Sequence, residues 1–319
     1  MNVSKEESPT DRSSYANLTP VMIVQLSAPH TWSAAIMPVL LSAAIAAPQV
    51  SQFPVALFAC LLLICILMQS AVNTLNDYMD YVKGADTLDN QLDPTDAVLV
   101  YNNVNPKQVL ALVFCQLGLG LLLGIYVIAQ TGWTPLAIGA VGALVLVAYS
   151  VGKTPLSYLP VGEFASGFTM GGLEVLACSY VITGSFSFLP LLISVPLICT
   201  IGLINFTNNT CDIEKDVLAN RKTLSVVLGR EKARMCYHGL LYFAMACMAV
   251  LVAIFYTSGL VVVVCMLFAS YPLVKALRAN PLVLASRGPA MAQAVSINIC
   301  LNTFYAMAVL MGSYVSLGF

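Results

Sequence analysis

Apolar residues fill this chain in long blocks that short polar interruptions separate. Nine blocks stand out, at about 21–47, 54–80, 107–130, 133–151, 162–183, 188–210, 236–256, 258–276 and 290–316. Each is near the length of about 20 residues at which an α-helix crosses ~30 Å of hydrocarbon. Prolines and glycines mark several block ends: Pro48, Pro54, Gly132 with Pro135, Gly184 with Pro190, and Gly259. Such residues punctuate regular backbone. The pattern predicts an all-α, polytopic membrane protein of about nine transmembrane helices. A polar tail over residues 1–20 precedes a single transmembrane domain over 21–319. The lipid bilayer is the first partner implied, and nothing points to nucleic acid.

Composition sharpens this. Of 319 residues, 59% are hydrophobic and 9% charged, and the mean hydropathy of +0.85 lies far above that of a soluble domain. Ten cysteines are scattered singly, with no CxxC pair, so they read as small buried hydrophobes rather than a disulfide framework or metal site. No cleavable leader is expected, because the first 18 residues are polar and the first apolar block is too long for one.

Charge orients the chain. With the N-terminus in the cytoplasm, the outer connections are "APQVSQF", "QTGW", "GSFSF", "YTSG" and the C-terminus, and none contains Lys or Arg. All 14 basic residues then fall in the tail or at inner ends, as the positive-inside rule requires. The N-terminus is predicted cytoplasmic and the C-terminus outside. Fourteen of the 15 acids share the cytoplasmic side; Glu174, mid-block, is the exception.

Two acidic clusters carry the candidate chemistry. In "NTLNDYMDYVKGADTLDN" (73–90), Asp77 and Asp80 are three apart, with Asn73 one turn earlier and Asn76 beside them. In "NFTNNTCDIEKDVLANRKTLSVVLG" (205–229), Asp212 and Asp216 are four apart, with Asn205, Asn208 and Asn209 one or two turns behind. Spacings of three and four share a helix face. Both clusters close even-numbered blocks, so both are expected at the cytoplasmic surface. Polar groups at that depth are costly and face a cavity or a partner. Two such pairs, facing one another, would make an oxygen-rich site suited to Mg²⁺, which takes one or two carboxylates and completes its shell with water and phosphate oxygens. A lone Asp at a helix end would be an ordinary interfacial residue; two matched constellations argue otherwise. A cation-coupled transporter is the competing class, but transporter sites lie near the bilayer midplane, a depth at which only Glu174 is expected.

The pair "NDYMDYVKGAD" and "DIEKDVLANRKTLSVVLG" resembles the two aspartate motifs of UbiA-type intramembrane prenyltransferases. "APHTWSAAIMPVLLSA" resembles that family's first span, and "YSVGKTPLSYLPVGE" (149–163) is similar to a stretch of its 1,4-dihydroxy-2-naphthoate branch. The resemblance covers about residues 27–232. Gly84 stands where the commoner first motif has its third Asp, and Asp86 two residues later matches the naphthoate branch. The following loop is acidic where that branch is basic, and Cys211 replaces an Arg usual before the second motif.

The resemblance implies a UbiA-like fold and Mg²⁺-dependent transfer of a polyprenyl group from polyprenyl diphosphate to an aromatic acceptor. On this branch the acceptor is 1,4-dihydroxy-2-naphthoate, which loses CO₂ to give a demethylmenaquinone; 4-hydroxybenzoate and homogentisate are the alternatives. The setting the resemblance implies is a bacterial inner membrane, with the active site facing the cytoplasm. Asp77 with Asp80, and Asp212 with Asp216, would each hold a metal that stabilises the leaving diphosphate. Asn73, Asn76, Asn205, Asn208 and Asn209 would ligate or orient, and Asp86 would be a further ligand or base. Lys153 and Lys222 would meet phosphate as point charges, and Tyr149 would turn its π surface to the allylic cation. Apart from the resemblance, Glu163, Gly167, Met170, Glu174 and Cys178 recur at three and four residues, predicting one shared helix face with Glu174 in a structural hydrogen bond.

Overall fold

A computed structural model describes residues 15–84, 97–150, 152 and 154–314, apart from the side chains of Leu146 and Ser150. Most of the predicted polar tail, residues 1–14, lies outside them. The described chain is helical, with one isolated parallel bridge, Ala16–Val104.

A helix forms within every predicted block. Six are long and apolar enough to cross a membrane: Val55–Val82 (α3), Pro106–Thr131 (α5), Gly162–Thr183, Arg230–Phe255 (α13), Thr257–Ala279 and Leu284–Tyr314. The first block is broken. Its helix α1 (Pro20–Ser27) stops at Ala28, whose φ of 44° is left-handed, and α2 (Ser33–Ala46) begins after a 3₁₀ turn at Pro29–Thr31. Counted as one span, the pair makes seven. The remaining two blocks give α6 (Thr134–Ser150) and α10 (Val195–Cys211), of 17 residues each. Such helices rise about 25 Å, short of the ~30 Å core. The 188–210 block is shortened because Ser194 separates a single turn, α9 (Leu189–Ile193), from α10, which restarts with Pro196 in its first turn. Nine helical blocks are therefore present among the described residues, and seven at most have spanning length. The chain is an integral, multi-pass membrane protein.

The chain folds as two compact units, Met1–Pro29 with Met68–Gly118, and His30–Leu67 with Leu119–Phe319. In the first, Leu26 of α1 packs with Val98 and Leu99 of the short helix α4 (Val98–Asn102), with Val104, and with Val109 of α5; Tyr78 and Tyr81 of α3 close over them. Residues 16–18 are tied in: the Ala16 N–H donates to Asn103 O at 2.9 Å, and the Leu18 N–H to Gln108 Oε1 at 2.7 Å.

In the second unit, α10 is the central element, buried along most of its length. Its first ten residues, VPLICTIGLI, are apolar nearly all round, as suits a helix segment within a core. It packs on Tyr237 of α13, where Thr207 Oγ1 and Tyr237 OH are 2.9 Å apart. It also meets α15 (Arg287–Tyr314), where Asn302 and Asn298 both donate to the buried Thr200 Oγ1 at 3.0 and 3.3 Å. Its third neighbour is the Gly162–Thr183 span, which comprises α7 (Gly162–Gly167), a π-helical segment (Phe168–Leu173) and α8 (Glu174–Thr183). Gly167 and Gly171 permit close approach, as small residues four apart do between membrane helices. A Cβ on either would lie 2.4 and 2.7 Å from backbone atoms of Ile198.

The π segment corrects the predicted shared face. Bonding from i to i+5 adds a residue to the turn, which rotates the downstream half of the span by about 100° relative to a continuous α-helix. Glu163 consequently meets α10, whereas Glu174 faces the Cys65 thiol of α3. Glu174 Oε1 has no hydrogen-bond partner among the described residues.

Candidate active site

The first acidic motif occupies the last turns of α3, with Asn73, Asn76, Asp77 and Asp80 all half-buried. Helix C-termini leave carbonyls unsatisfied, and α3 supplies donors to those of α1. Asn73 Nδ2 donates to Ser27 O at 3.1 Å and Thr74 Oγ1 to Leu26 O at 3.3 Å. Asn73, expected as a ligand, thus also fastens α3 to α1 one turn before Asp77. Asp86 and Lys153 lie outside the described residues.

The second motif is built where α10 gives way to α11 (Ile213–Leu218). The Asp216 N–H donates to Asp212 O at 2.8 Å across the junction, which keeps the two carboxylates on the shared face their spacing predicts. Asn220 then takes φ 54°. With it in the left-handed region, the Arg221 N–H reaches Asp216 O at 2.8 Å and the Asn220 N–H reaches Val217 O at 3.1 Å, the double bond of a Schellman ending. That turn folds Arg221 back, with Nη1 3.7 Å from Asp216 Oδ1 and the guanidinium 4.6 Å from the centre of the Tyr158 ring. Thr223 Oγ1 donates to Asp216 Oδ2 at 3.2 Å. Asp216 is only 3% exposed; burial pushes its carboxyl up to about 6, against the opposing pull of Arg221 and Thr223. Lys222 is exposed, its backbone N–H bonded to Tyr158 O at 2.8 Å.

Asp212 has its own cation. Arg287 Nε, from the first turn of α15, donates to Asp212 Oδ2 at 3.2 Å and to Asn208 Oδ1 at 3.0 Å. Cys211, standing where an arginine was expected, is fully buried in the core. The cation beside Asp212 therefore comes from 75 residues further along the chain. Arg230 buttresses the corner, pairing both Glu214 oxygens at 2.7 Å and donating to Thr210 O and to Leu282 O.

Behind the carboxylates, Asn205, Asn209, Asp212 and Asp216 follow at four, three and four residues, one side of a helix. Asn205 Nδ2 donates to Ser166 Oγ at 2.6 Å and to Tyr149 OH at 3.3 Å, and Asn209 Nδ2 donates to Glu163 Oε1 at 2.8 Å. Tyr149 is thereby joined to the second motif through Asn205. Arg287 and Glu163 are additions that the sequence did not single out for the site, and Arg221, which from sequence is as fit to set topology as to meet phosphate, lies beside Asp216.

The donors so gathered are carboxylate and amide oxygens, the hard ligands that suit Mg²⁺. No group of three or more His, Cys, Asp or Glu is placed to hold a metal ion among the described residues, so each unit offers a carboxylate pair whose remaining coordination must come from elsewhere.

Comparison with known proteins gives a consistent family. The UbiA prenyltransferase family matches residues 35–285. A 1,4-dihydroxy-2-naphthoate octaprenyltransferase of Bacillus subtilis is 35% identical over 209 residues, which is 66% of this chain and 66% of that protein. The chain thus spans just under two thirds of that relative's length. The UbiA prenyltransferase domain-containing protein 1 of Danio rerio is 26% identical over 91% of this chain and 84% of its own. A solved structure of a UbiA homolog from Archaeoglobus fulgidus bound to GPP and Mg²⁺ superposes with a TM-score of 0.59 at 16% identity, covering 91% of this chain and 99% of that one.

Proposed function

From the premise that the chain belongs to the UbiA prenyltransferase family, we propose that it transfers a polyprenyl group from polyprenyl diphosphate to 1,4-dihydroxy-2-naphthoate, with loss of CO₂, giving a demethylmenaquinone in its reduced, hydroquinone form. The observation that carries the acceptor is the 35% identity to a protein named for that acceptor. The fold-mate bound to GPP and Mg²⁺ supports the donor and the metal.

Asp77 with Asp80 and Asp212 with Asp216 would be the metal-holding pairs. When bound, Mg²⁺ neutralises diphosphate and eases its departure from the allylic carbon. The chain's own residues prepare for this. Arg287 and Arg221 compensate two nearly buried carboxylates, which would otherwise be costly to ionise. Asn73, Asn76, Asn205, Asn208 and Asn209 orient the carboxylates and their helices. Tyr149 would meet the allylic cation, Lys153 and exposed Lys222 would meet phosphate, and Asp86 would be a further ligand or base. The protein would work in a bacterial inner membrane, N-terminus and active site cytoplasmic and C-terminus outside, as the distribution of Lys and Arg favours.

The test is to give the purified protein a prenyl diphosphate and Mg²⁺ with dihydroxynaphthoate, 4-hydroxybenzoate or homogentisate in separate reactions and to weigh the products by mass spectrometry. Prenylated, decarboxylated naphthoate is expected. Prenylation of either other phenol, with naphthoate inert, would overturn the acceptor and leave the prenyl transfer standing.

A further inference from the structure

Glu163 of α7 has no place in the metal chemistry, yet it meets the same side of α10 that carries the second motif. The residue is 5% exposed. Asn209 Nδ2 holds its Oε1 at 2.8 Å, and the backbone N–H of Leu224 lies near the carboxyl. Its other oxygen, Oε2, is buried and has no hydrogen-bond partner among the described residues. Leaving such an atom unsatisfied costs about 1–3 kcal/mol, and an orphan polar atom of this kind calls for an explanation. The surroundings supply one. Asn209 lies three residues before Asp212, so it holds the carboxyl about one turn, ~5 Å along the axis, from the proposed metal-holding pair. The polar row Tyr149–Asn205–Ser166 runs beside it, and Ser166 Oγ donates to the Glu163 carbonyl at 3.1 Å. A carboxyl oxygen kept vacant there is suited to a hydroxyl, while the metal-holding carboxylates serve the diphosphate.

We propose that Glu163 Oε2 binds the hydroxyl next to the ring carbon that is prenylated, and is the proton acceptor of the reaction. This rests on the prenyltransferase reading. The ring carbon bearing the carboxylate bonds to the allylic carbon while diphosphate leaves with the C–O electron pair. The neighbouring C–OH becomes C=O, and its proton passes to Oε2. Departure of CO₂ returns the C–C electron pair to the ring, and the proton moves back from Glu163 to the carbonyl oxygen, restoring the hydroquinone. No outside acid or base is consumed. Asn209 is a positioning residue in this scheme, because it fixes one carboxyl oxygen and so aims the other.

The experiment compares wild type with Glu163→Gln, which can still accept the Asn209 bond through its amide oxygen but cannot take a proton. Thermal unfolding first establishes that the variant is folded. At neutral pH its kcat should fall at least ~10²-fold, the scale of a lost general base, with KM for prenyl diphosphate unchanged. Acceptor binding without prenyl diphosphate should weaken roughly tenfold, the scale of one hydrogen bond to a charged group. The rate deficit should shrink as pH rises towards the hydroxyl pKa, about 10 for a phenol, where the acceptor ionises unaided. A folded variant with wild-type rate and acceptor affinity, or a loss indifferent to pH, would overturn the assignment. Should Gln prevent folding, Glu163→Asp carries the test by the same criterion, since shortening by one methylene withdraws the oxygen from the hydroxyl. The assay uses whichever phenol the wild type prenylates, so failure of the naphthoate assignment leaves the comparison intact.

Discussion

Replacing Gly171 by Ala tests how closely the Gly162–Thr183 span must approach α10. The added Cβ would lie 2.7, 2.8 and 2.9 Å from Ile198 N, Ile198 Cα and Leu197 C, all backbone. Ordinary carbon contacts begin near 3.5 Å, so the helices must part by roughly 0.7 Å, and overpacking of this kind costs about 1–3 kcal/mol. Ala gains up to ~1 kcal/mol over Gly in a helix interior, leaving a net loss of about 0–2 kcal/mol. Activity should suffer more than stability. The displaced α10 carries Asn209 and Asp212, and a misplacement of ~1 Å can cost about 10²-fold. The same measurements on neighbouring glycines supply a graded scale. At Gly142 a Cβ meets only Thr169 Cγ2 at 3.5 Å, and at Gly172 it meets side-chain tips of Ile198 and Leu191 at 3.1 Å. Denaturant unfolding in detergent and kcat/KM should rank the Ala variants Gly142, Gly172, Gly171, from mildest to most damaging. Equal stability and activity of the Gly142 and Gly171 variants would refute the close-packing argument.

Three further outcomes are expected of the site. Asp77→Asn, Asp80→Asn, Asp212→Asn and Asp216→Asn should each nearly abolish turnover in folded protein, and chelation should do so reversibly in the wild type; near-normal rates in any two would sink the paired-carboxylate reading. Burial raises the Asp216 carboxyl to about 6, above the unfolded value of about 3.9. Its stabilising contribution to the metal-free fold is therefore full below pH ~4 and lost as pH rises through about 6. Because a proton and Mg²⁺ compete for this group, metal affinity measured by equilibrium dialysis should weaken as pH falls from 7.5 to 5, and this dependence should flatten in Asp216→Asn. Glu174→Gln should leave the acceptor's KM unchanged, because the π segment turns Glu174 towards Cys65 and away from the Asn209 side of α10; a several-fold rise would contradict this placement.

Much of the fold was legible because apolar block length and Gly/Pro punctuation are local. The nine blocks each contain a helix, and the spacing of Asp212 and Asp216 survived the α10–α11 junction. What escaped was whatever depends on tertiary partners. Ser194 and the prolines shortened one span, but no periodicity says by how much. Arg287 could not be paired with Asp212 from sequence, since its only local signature is that of an inner-end basic residue. Arg221 was visible beside the motif, and the Asn preceding it offered a usable cue, the left-handed ending that turns the guanidinium back. Glu163 falls within the naphthoate-branch motif and on the periodic 163–178 face, but its meeting with Asn209 depends on where α7 lies against α10.

The π segment at Phe168–Leu173 has a consequence for chain length. A helix reads its faces by counting, and one surplus residue resets the count for everything downstream while leaving everything upstream in phase. The six residues FTMGGL thus act as a frame-shift inside a continuous rod. Glu163 and Gly167 keep their aim at α10 on one side, and Glu174 and Cys178 are redirected towards Cys65 on the other. A homologue one residue shorter at this point would keep nearly the same composition and hydropathy, yet would present a different set of side chains along half the span. Alignments through this region should therefore be anchored separately at each end.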